Sequence, residues 1–144
     1  MNEENNYLPP DNYQEDRRNK IVNRTSSTNI GLGLLAVVSA FDLGYSTLDE
    51  TMQLLEKSMN TIESLEKWNG HLFNWYNTKT LAPLYPRYVS TVDNGNFIGY
   101  LYTLKQFILE KDTSKKEELV SIIDRLIKNV KNTRIFGCFF FCLF

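Results

Sequence analysis

GHLFNWYNTKTLAPLYPRYVSTVDNGN, residues 70–96, divides the chain into two helical halves. Two helical patterns precede this stretch and two follow it, so it is predicted to be a long loop that joins two helical hairpins. Connections of this length are uncommon in compact domains and are usually functional. The stretch holds the only histidine, His71, together with Trp75 and a single carboxylate, Asp93. Aromatic rings stack on the C–H faces of sugars, and amides and hydroxyls bind sugar hydroxyls, so its composition favours a carbohydrate ligand.

The first helix of the first hairpin is predicted to be a buried one. Residues 30–41 are apolar nearly all round, a pattern typical of a helix that is covered on several sides. Thr28 or Asn29 is the expected N-cap. Gly31 and Gly33 weaken helix propensity, which indicates that another backbone approaches closely.

The second helix of this hairpin is predicted to be amphipathic. Gly44 is the expected left-handed C-cap of the first helix, and Thr47 with Glu50 forms a capping box for the second. Apolar residues then recur at steps of three and four over residues 48–65, and the helix is expected to end near residues 68–70.

The same pattern repeats after the loop. Residues 93–110 are predicted to form an apolar helix, Ser114 and Glu117 form a second capping box, and residues 119–130 form an amphipathic helix. The chain is therefore predicted to be all-α, with two inner–outer hairpins in an αα-repeat architecture.

The two ends differ from this pattern. Residues 1–27 form an extended N-terminal segment that is either docked on the body or disordered, and residues 28–134 form the helical domain. Residues 135–144, IFGCFFFCLF, either cover an open edge of the domain or are the abnormal end of an interrupted reading frame. Cys138 and Cys142 lie in this tail and are expected to be reduced thiols, because no other ligands accompany them.

Composition excludes several classes of function. The chain has 144 residues and a formal charge of −1, so no basic field favours nucleic acid. The polar N-terminus is not a signal peptide and no run of about 20 apolar residues exists, which predicts a cytoplasmic chain. No phosphate-binding loop or metal-ligand cluster is evident, so neither a cofactor nor a metal is expected.

Three long motifs carry a resemblance to a known family. They are YLPPDNYQED (7–16), RTSSTNIGLGLLAVVSAFDLGY (24–45) and GHLFNWYNTKTLAPLYPRYVSTVDNGNFIGYL (70–101). In this order they resemble the glucoamylase-like central domain of cyclic β-1,2-glucan synthases, over roughly residues 7–109. The chain departs from that pattern at a few positions: Ser27 stands where a proline is expected, Asn23 where a histidine is common, Arg17-Arg18 where prolines are common and Gly33 where an aromatic is common.

The resemblance implies an (α/α)6 toroid, a six-hairpin glycosidase-like fold with its site in loops at one end of the inner helices. In these large membrane-bound bacterial synthases, this domain closes linear β-1,2-glucan into a ring by transglycosylation. The two hairpins of this chain supply two of the six, so the resemblance identifies it as a truncated fragment.

Asp93 is the candidate catalytic residue, because glycoside chemistry uses paired carboxyl groups. Its alternative role is to cap a helix and interact with the helix dipole. Asp42 is expected to pair with Arg24 or Arg87. Asp11, Glu15 and Asp16 reach the site only if the N-terminal segment folds over it.

A larger set is predicted to bind substrate, each member with a structural alternative. Helix capping is the alternative for the residues before the first helix, and loop anchoring is the alternative for those in the loop. The set comprises Arg24, Thr25, Ser26, Asn29, His71, Asn74, Trp75, Tyr76, Arg87, Tyr88, Ser90 and Asn96.

Two functions follow from the sequence. The first is a fragment of a carbohydrate-active domain that binds or transglycosylates linear β-1,2-glucan, inactive alone, with the remaining parts of a split or larger synthase as partners. The second is a small helical-repeat module that binds a protein and has no enzymatic activity.

Overall fold

The computed structural model describes residues 1–16 and 21–131. Four helices dominate these residues and only short two-stranded sheets accompany them, so the predicted helical class is confirmed. The predictions on Arg17-Arg18, on the tail 135–144 and on its two cysteines lie outside the described residues. The domain boundaries stay predictions.

Helix α1 spans Ser27–Asp42 and begins earlier than predicted. Its N-cap is Ser26, whose Oγ accepts a hydrogen bond from the backbone N of Asn29 at 3.1 Å, so the expected caps at residues 28 and 29 were wrong. The reason lies in strand β1 (Arg24–Thr25), which pairs with β4 (Tyr76–Asn77) and keeps the chain extended up to the cap. Gly44 has the predicted left-handed conformation, with φ of 78°.

Helix α2 spans Leu48–Ser64, and its predicted capping box is present: Thr47 and Glu50 cap each other's backbone N–H groups. The helix ends before the predicted residues 68–70, because β2 (Lys67–Trp68) turns back to pair with β3 (His71–Leu72). Lys67 Nζ closes the end of α2 by donating to the carbonyl oxygens of residues 62, 63 and 65 at 2.8–2.9 Å. Burial lowers the pKa of Lys67 to about 8.

Helix α3 spans Thr91–Leu109 and helix α4 spans Lys116–Lys131. Ser90 is the N-cap of α3, and its Oγ accepts from the backbone N of Asp93 at 3.2 Å. Lys115, not Ser114, directly precedes α4, so the predicted capping box of Ser114 with Glu117 was wrong. Among the described residues, no helix is long and apolar enough to cross a bilayer; the cytoplasmic location stays a prediction.

The helices pack as two inner and two outer members. α1 lies against α3, α2 lies against α1 and α4, and α4 lies against α3. The core forms between the four, where Leu34, Leu55, Leu104 and Ile123 are fully buried. This packing matches the predicted pair of inner–outer hairpins.

Two glycines of α1 admit side chains rather than a backbone. A Cβ at Gly31 would clash with the ring of Tyr100 on α3, and a Cβ at Gly33 would lie 2.8 Å from Cγ of Pro9. The prediction that another backbone approaches these glycines was therefore wrong, because side chains approach them instead. The glycines instead let α3 and the N-terminal segment approach α1.

The N-terminal segment is docked, as the first of the two alternatives predicted. Leu8 is fully buried. Asn6 Nδ2 donates to the carbonyl oxygen of Thr78 at 2.8 Å, and Ser58 Oγ donates to that of Tyr7 at 3.0 Å. Residues 1–16 thereby touch both the loop and α2, which brings the carboxylate of Asp11 to the N-terminal end of α1.

Candidate functional site

Asp11 organises the first group of predicted site residues. Arg24 Nε and Nη2 donate to Asp11 Oδ2 at 3.0 and 2.9 Å, and Asn29 Nδ2 donates to Asp11 Oδ1 at 3.0 Å. Burial raises the pKa of Asp11, but these hydrogen bonds and the charge of Arg24 outweigh burial and hold that pKa below its usual value. Asp11 is therefore ionised and holds two donors in fixed positions.

Arg24 also covers Trp75. Its guanidinium carbon lies 4.5 Å from the centre of the Trp75 ring, a cation–π contact. The Arg24 side chain is 45% exposed and Trp75 is half-buried. An aromatic face, a guanidinium group and an amide thus meet at the surface beside the start of α1. We call this group of residues the Asp11 cluster: Asp11, Arg24, Asn29 and Trp75.

Asp93 adjoins this cluster through Thr28. It lies in the first turn of α3, and its carboxylate accepts a hydrogen bond from Thr28 Oγ1 of α1. Thr28 directly precedes Asn29 in α1, so this hydrogen bond connects the N-terminal end of α1, which holds the Asp11 cluster, to the N-terminal end of α3. The N-cap itself is Ser90, so the predicted capping role does not belong to Asp93. Its catalytic role stays a prediction.

Five of the predicted site residues are buried: Thr25, Ser26, His71, Asn74 and Tyr76. Ser26 is the N-cap of α1, and Thr25 pairs with Tyr76 in the β1–β4 sheet. Tyr76 Oη donates to the carbonyl oxygen of Glu66 at 2.7 Å and accepts from the backbone N of Phe73 at 2.8 Å. Burial raises the pKa of Tyr76 and lowers that of His71. Their positions fit the structural alternatives, capping and loop anchoring.

Asn74, Arg87 and Tyr88 form a second group around a groove of about 320 Å³. Asn74 Nδ2 donates to Tyr88 Oη at 2.6 Å. Arg87 forms an ion pair with Glu66 and stacks on Phe73, with 4.6 Å between its guanidinium carbon and the ring centre. We call this the Trp68 groove; its walls are Trp68, Phe73, Arg87, Tyr88, Val89 and Thr91.

The ion pairs predicted for Asp42 were wrong. Arg24 pairs with Asp11 and Arg87 pairs with Glu66, while Asp42 is exposed at the far end of α1. Asn96, another predicted contact residue, is exposed on α3. Three residues of the candidate site were not predicted from the sequence: Thr28, Trp68 and Phe73. The aromatic character of the last two was the available signal.

Within residues 1–16 and 21–131, no three His, Cys, Asp or Glu side chains are placed to hold a metal ion. The expected absence of a cofactor stays a prediction. The arrangement offers carboxylates, amides, guanidinium groups and aromatic faces, which together suit an uncharged polyhydroxyl ligand.

The hairpin arrangement defines a class of fold, the glucoamylase-like (α/α)6 toroid. A glucoamylase candidate from Bacteroides fragilis superposes with a TM-score of 0.73 at 21% identity, over 85% of this chain and 30% of that one. The endo-β-1,2-glucanase from Chitinophaga pinensis, in complex with sophorotriose and glucose, gives a TM-score of 0.70 at 20% identity, over 81% and 28% of the two chains. The predicted toroid class is confirmed.

Sequence similarity then points to a particular relative. The cyclic β-(1,2)-glucan synthase NdvB of Rhizobium meliloti is 48% identical over 107 residues, 74% of this chain and 4% of that protein. The exo-β-1,2-glucooligosaccharide sophorohydrolase of Parabacteroides distasonis is 30% identical over 112 residues, 70% of this chain and 15% of that protein. No family model matches the chain. The chain is thus related to a small segment of a cyclic β-1,2-glucan synthase, which confirms the predicted resemblance.

Proposed function

We propose that the chain binds linear β-1,2-glucan through the Asp11 cluster and Asp93, as one part of a carbohydrate-active domain of the cyclic β-1,2-glucan synthase type. The observation that carries this proposal is the placement of the cluster at the N-terminal ends of both inner helices, where Thr28 links it to Asp93. Trp75 supplies a face for stacking, and Arg24 with Asn29 supplies donors for hydroxyls.

Ring closure by transglycosylation requires more than this surface supplies. A glycosidase-type reaction needs a carboxyl group that is protonated near neutral pH beside a second that is ionised. Asp11 is held ionised by Arg24 and Asn29, so it cannot supply the proton. We therefore propose that the chain alone binds glucan without turnover, and that the remaining part of a longer synthase supplies the missing acid.

Isothermal titration with linear β-1,2-glucan tests this function. Arg24→Ala removes a charged donor and is expected to weaken binding at least about tenfold, since a hydrogen bond to a charged group is worth about 1.5–3 kcal/mol. Arg125→Ala is the matched control, because Arg125 also forms an exposed ion pair, with Glu63 on the outer helices. It should leave the affinity unchanged.

Three results would count against the proposal. One is the absence of binding by the unmodified chain, which would favour the alternative of a protein-binding helical module. Another is equal affinity for the chain and its Arg24→Ala variant. The third is release of cyclic or shortened glucan by the chain alone, detected by mass spectrometry, which would contradict binding without turnover.

A further inference from the structure

The Trp68 groove has an exposed aromatic wall that the Asp11 cluster does not use. Trp68 and Tyr88 are each 46% exposed, although aromatic side chains of this size are largely buried in most proteins. Both lie on the same groove together with Val89. This shared location distinguishes them from isolated exposed apolar residues, which are common and need no explanation.

The groove is held in shape by contacts behind its walls. Trp68 lies in β2, opposite the fully buried His71 of β3. Gly70, at the turn between these strands, has φ of 83° and lies so close to Asn129 of α4 that a Cβ would be only 2.5 Å from its carbonyl oxygen. The β2–β3 hairpin is therefore seated on α4, and Trp68 projects from a supported element. Such preorganisation lowers the conformational entropy that the groove itself loses when a ligand binds.

The charges at the groove select an uncharged ligand that forms hydrogen bonds. Arg87 is paired with Glu66, so the guanidinium charge is balanced and an anion gains little. A purely apolar ligand would strip water from this pair and return no hydrogen bonds, which costs free energy. A sugar would satisfy both demands, because its C–H face would cover the indole ring while its hydroxyls bind Arg87 and Thr91.

Position relates the groove to Asp93. Thr91, which lines the groove, and Asp93, which contacts Thr28, are two residues apart in α3 and therefore point to different sides of the helix. The volume of about 320 Å³ is at the lower end of the range for ligand sites. The groove thus suits a short segment of a glucan chain.

We propose that the Trp68 groove is a second binding site for the same glucan, with Trp68 as the stacking surface and Arg87 and Thr91 as partners of the sugar hydroxyls. This inference rests on the proposed function, because the Asp11 cluster is the first site. A glucan that spans both sites gains affinity from the linkage, whereas a two-unit sugar occupies one site at a time.

The chain contains two tryptophans, and each reports on one site. Trp68→Phe leaves Trp75 as the only indole, and Trp75→Phe leaves Trp68, while both variants keep an aromatic ring in place. Each is titrated by fluorescence with a long linear β-1,2-glucan. Saturable changes in emission are expected from both. The Trp75→Phe chain is decisive, because it leaves the groove unaltered and any effect of misfolding at residue 68 is avoided.

Affinity provides the second measurement. Trp68→Ala is expected to weaken binding of the long glucan about tenfold, as removal of a central aromatic contact commonly does, and to leave binding of the β-1,2-linked glucose dimer at the Asp11 cluster unchanged. Trp75→Ala should weaken both. Circular dichroism confirms that each variant is folded.

The outcomes separate this inference from the proposed function. Failure of the unmodified chain to bind any β-1,2-glucan overturns both. Binding that Trp68→Ala leaves unchanged, with silent Trp68 emission in the Trp75→Phe chain, overturns only the groove. Blue-shifted Trp68 emission that no glucan alters would show that another part of the chain already fills the groove, which also overturns the inference.

Discussion

The two inner helices, α1 and α3, have the same position in their hairpins but differ in how much of their apolar surface is covered. Seven side chains of α3 are buried: Asn94, Phe97, Ile98, Leu101, Leu104, Phe107 and Ile108. In α1 only Ser27, Ile30, Gly31 and Leu34 are buried, although its sequence is apolar nearly all round. Leu32 of α1 is 51% exposed. Within the described residues, most of the apolar surface of α3 is therefore covered by neighbouring side chains, whereas one apolar side of α1 is not covered.

In contrast, the N-terminal ends of α1 and α3 are alike. Each is capped by a serine, Ser26 or Ser90, that accepts a hydrogen bond from the backbone N three residues later. Each then uses an asparagine to hold a distant segment: Asn29 binds Asp11, and Asn94 binds the backbone of Leu72. The two inner helices therefore hold the candidate site at their N-terminal ends and differ in the packing along their length.

The largest expected effect is on packing. Leu104→Ala in α3 removes a fully buried side chain and should lower the free energy of unfolding by about 2–5 kcal/mol. Leu32→Ala in α1 is the matched substitution and should change it by less than about 0.5 kcal/mol. Urea unfolding followed by circular dichroism measures both. Equal losses would show that α1 is covered in solution and would remove the contrast between the helices.

The next effect concerns the two asparagines. Asn94 Nδ2 donates to the carbonyl oxygens of Leu72 and Ser90 at 2.9 Å, and Asn94 Oδ1 accepts from the backbone N of Leu72 at 2.9 Å. Asn94→Ala removes the side-chain partner of both buried backbone groups of Leu72, while the carbonyl oxygen of Ser90 keeps its bond from the backbone N of residue 94, and should cost about 1–3 kcal/mol. Asn29 is only half-buried, so Asn29→Ala should cost about 1 kcal/mol or less.

The same unfolding measurement compares these variants. Asn96→Ala serves as the control, since Asn96 is an exposed asparagine of α3. A larger loss from Asn29→Ala than from Asn94→Ala would mean that the N-terminal segment contributes more to stability than the loop does.

Features that depend on neighbouring residues could be predicted from the sequence. The capping box of Thr47 with Glu50 is complete within four residues, and the period of the apolar positions distinguishes inner from outer helices. The start of α1 could not be placed this way, because Ser26, Ser27, Thr28 and Asn29 are all acceptable caps. Pairing between β1 and β4, which are far apart in the sequence, determines where α1 begins.

The partners of the site residues were harder to predict for a related reason. Arg24 or Arg87 was expected to pair with Asp42, but docking of the N-terminal segment places Asp11 beside Arg24. Tyr76 and Trp75 are adjacent aromatics with the same expected role. Successive side chains of an extended segment point to opposite sides, so Tyr76 faces the core and Trp75 lies under Arg24. Which of two neighbours faces inward depends on the strand pairing.

A smaller change in stability is expected at the start of α1. Ser27 is the first residue of the helix and is fully buried, and its Oγ has no hydrogen-bond partner among the described residues. Proline is favoured at this position because no backbone N–H is needed there. Ser26, with φ of −114° and ψ of 167°, has the extended conformation that a following proline requires. Ser27→Pro should therefore raise the free energy of unfolding by about 0.4–1 kcal/mol.

Ser27→Ala separates the two causes of this gain, since it removes the buried hydroxyl without restricting φ. Thermal unfolding of the three chains should rank their midpoints with proline highest and serine lowest. If Ser27→Pro is less stable than Ser27→Ala, the ring does not fit between β1 and α1. The first turn of α1 would then be closely packed, although the rest of α1 is less covered than α3. The contrast between the two helices would apply only to residues beyond that turn.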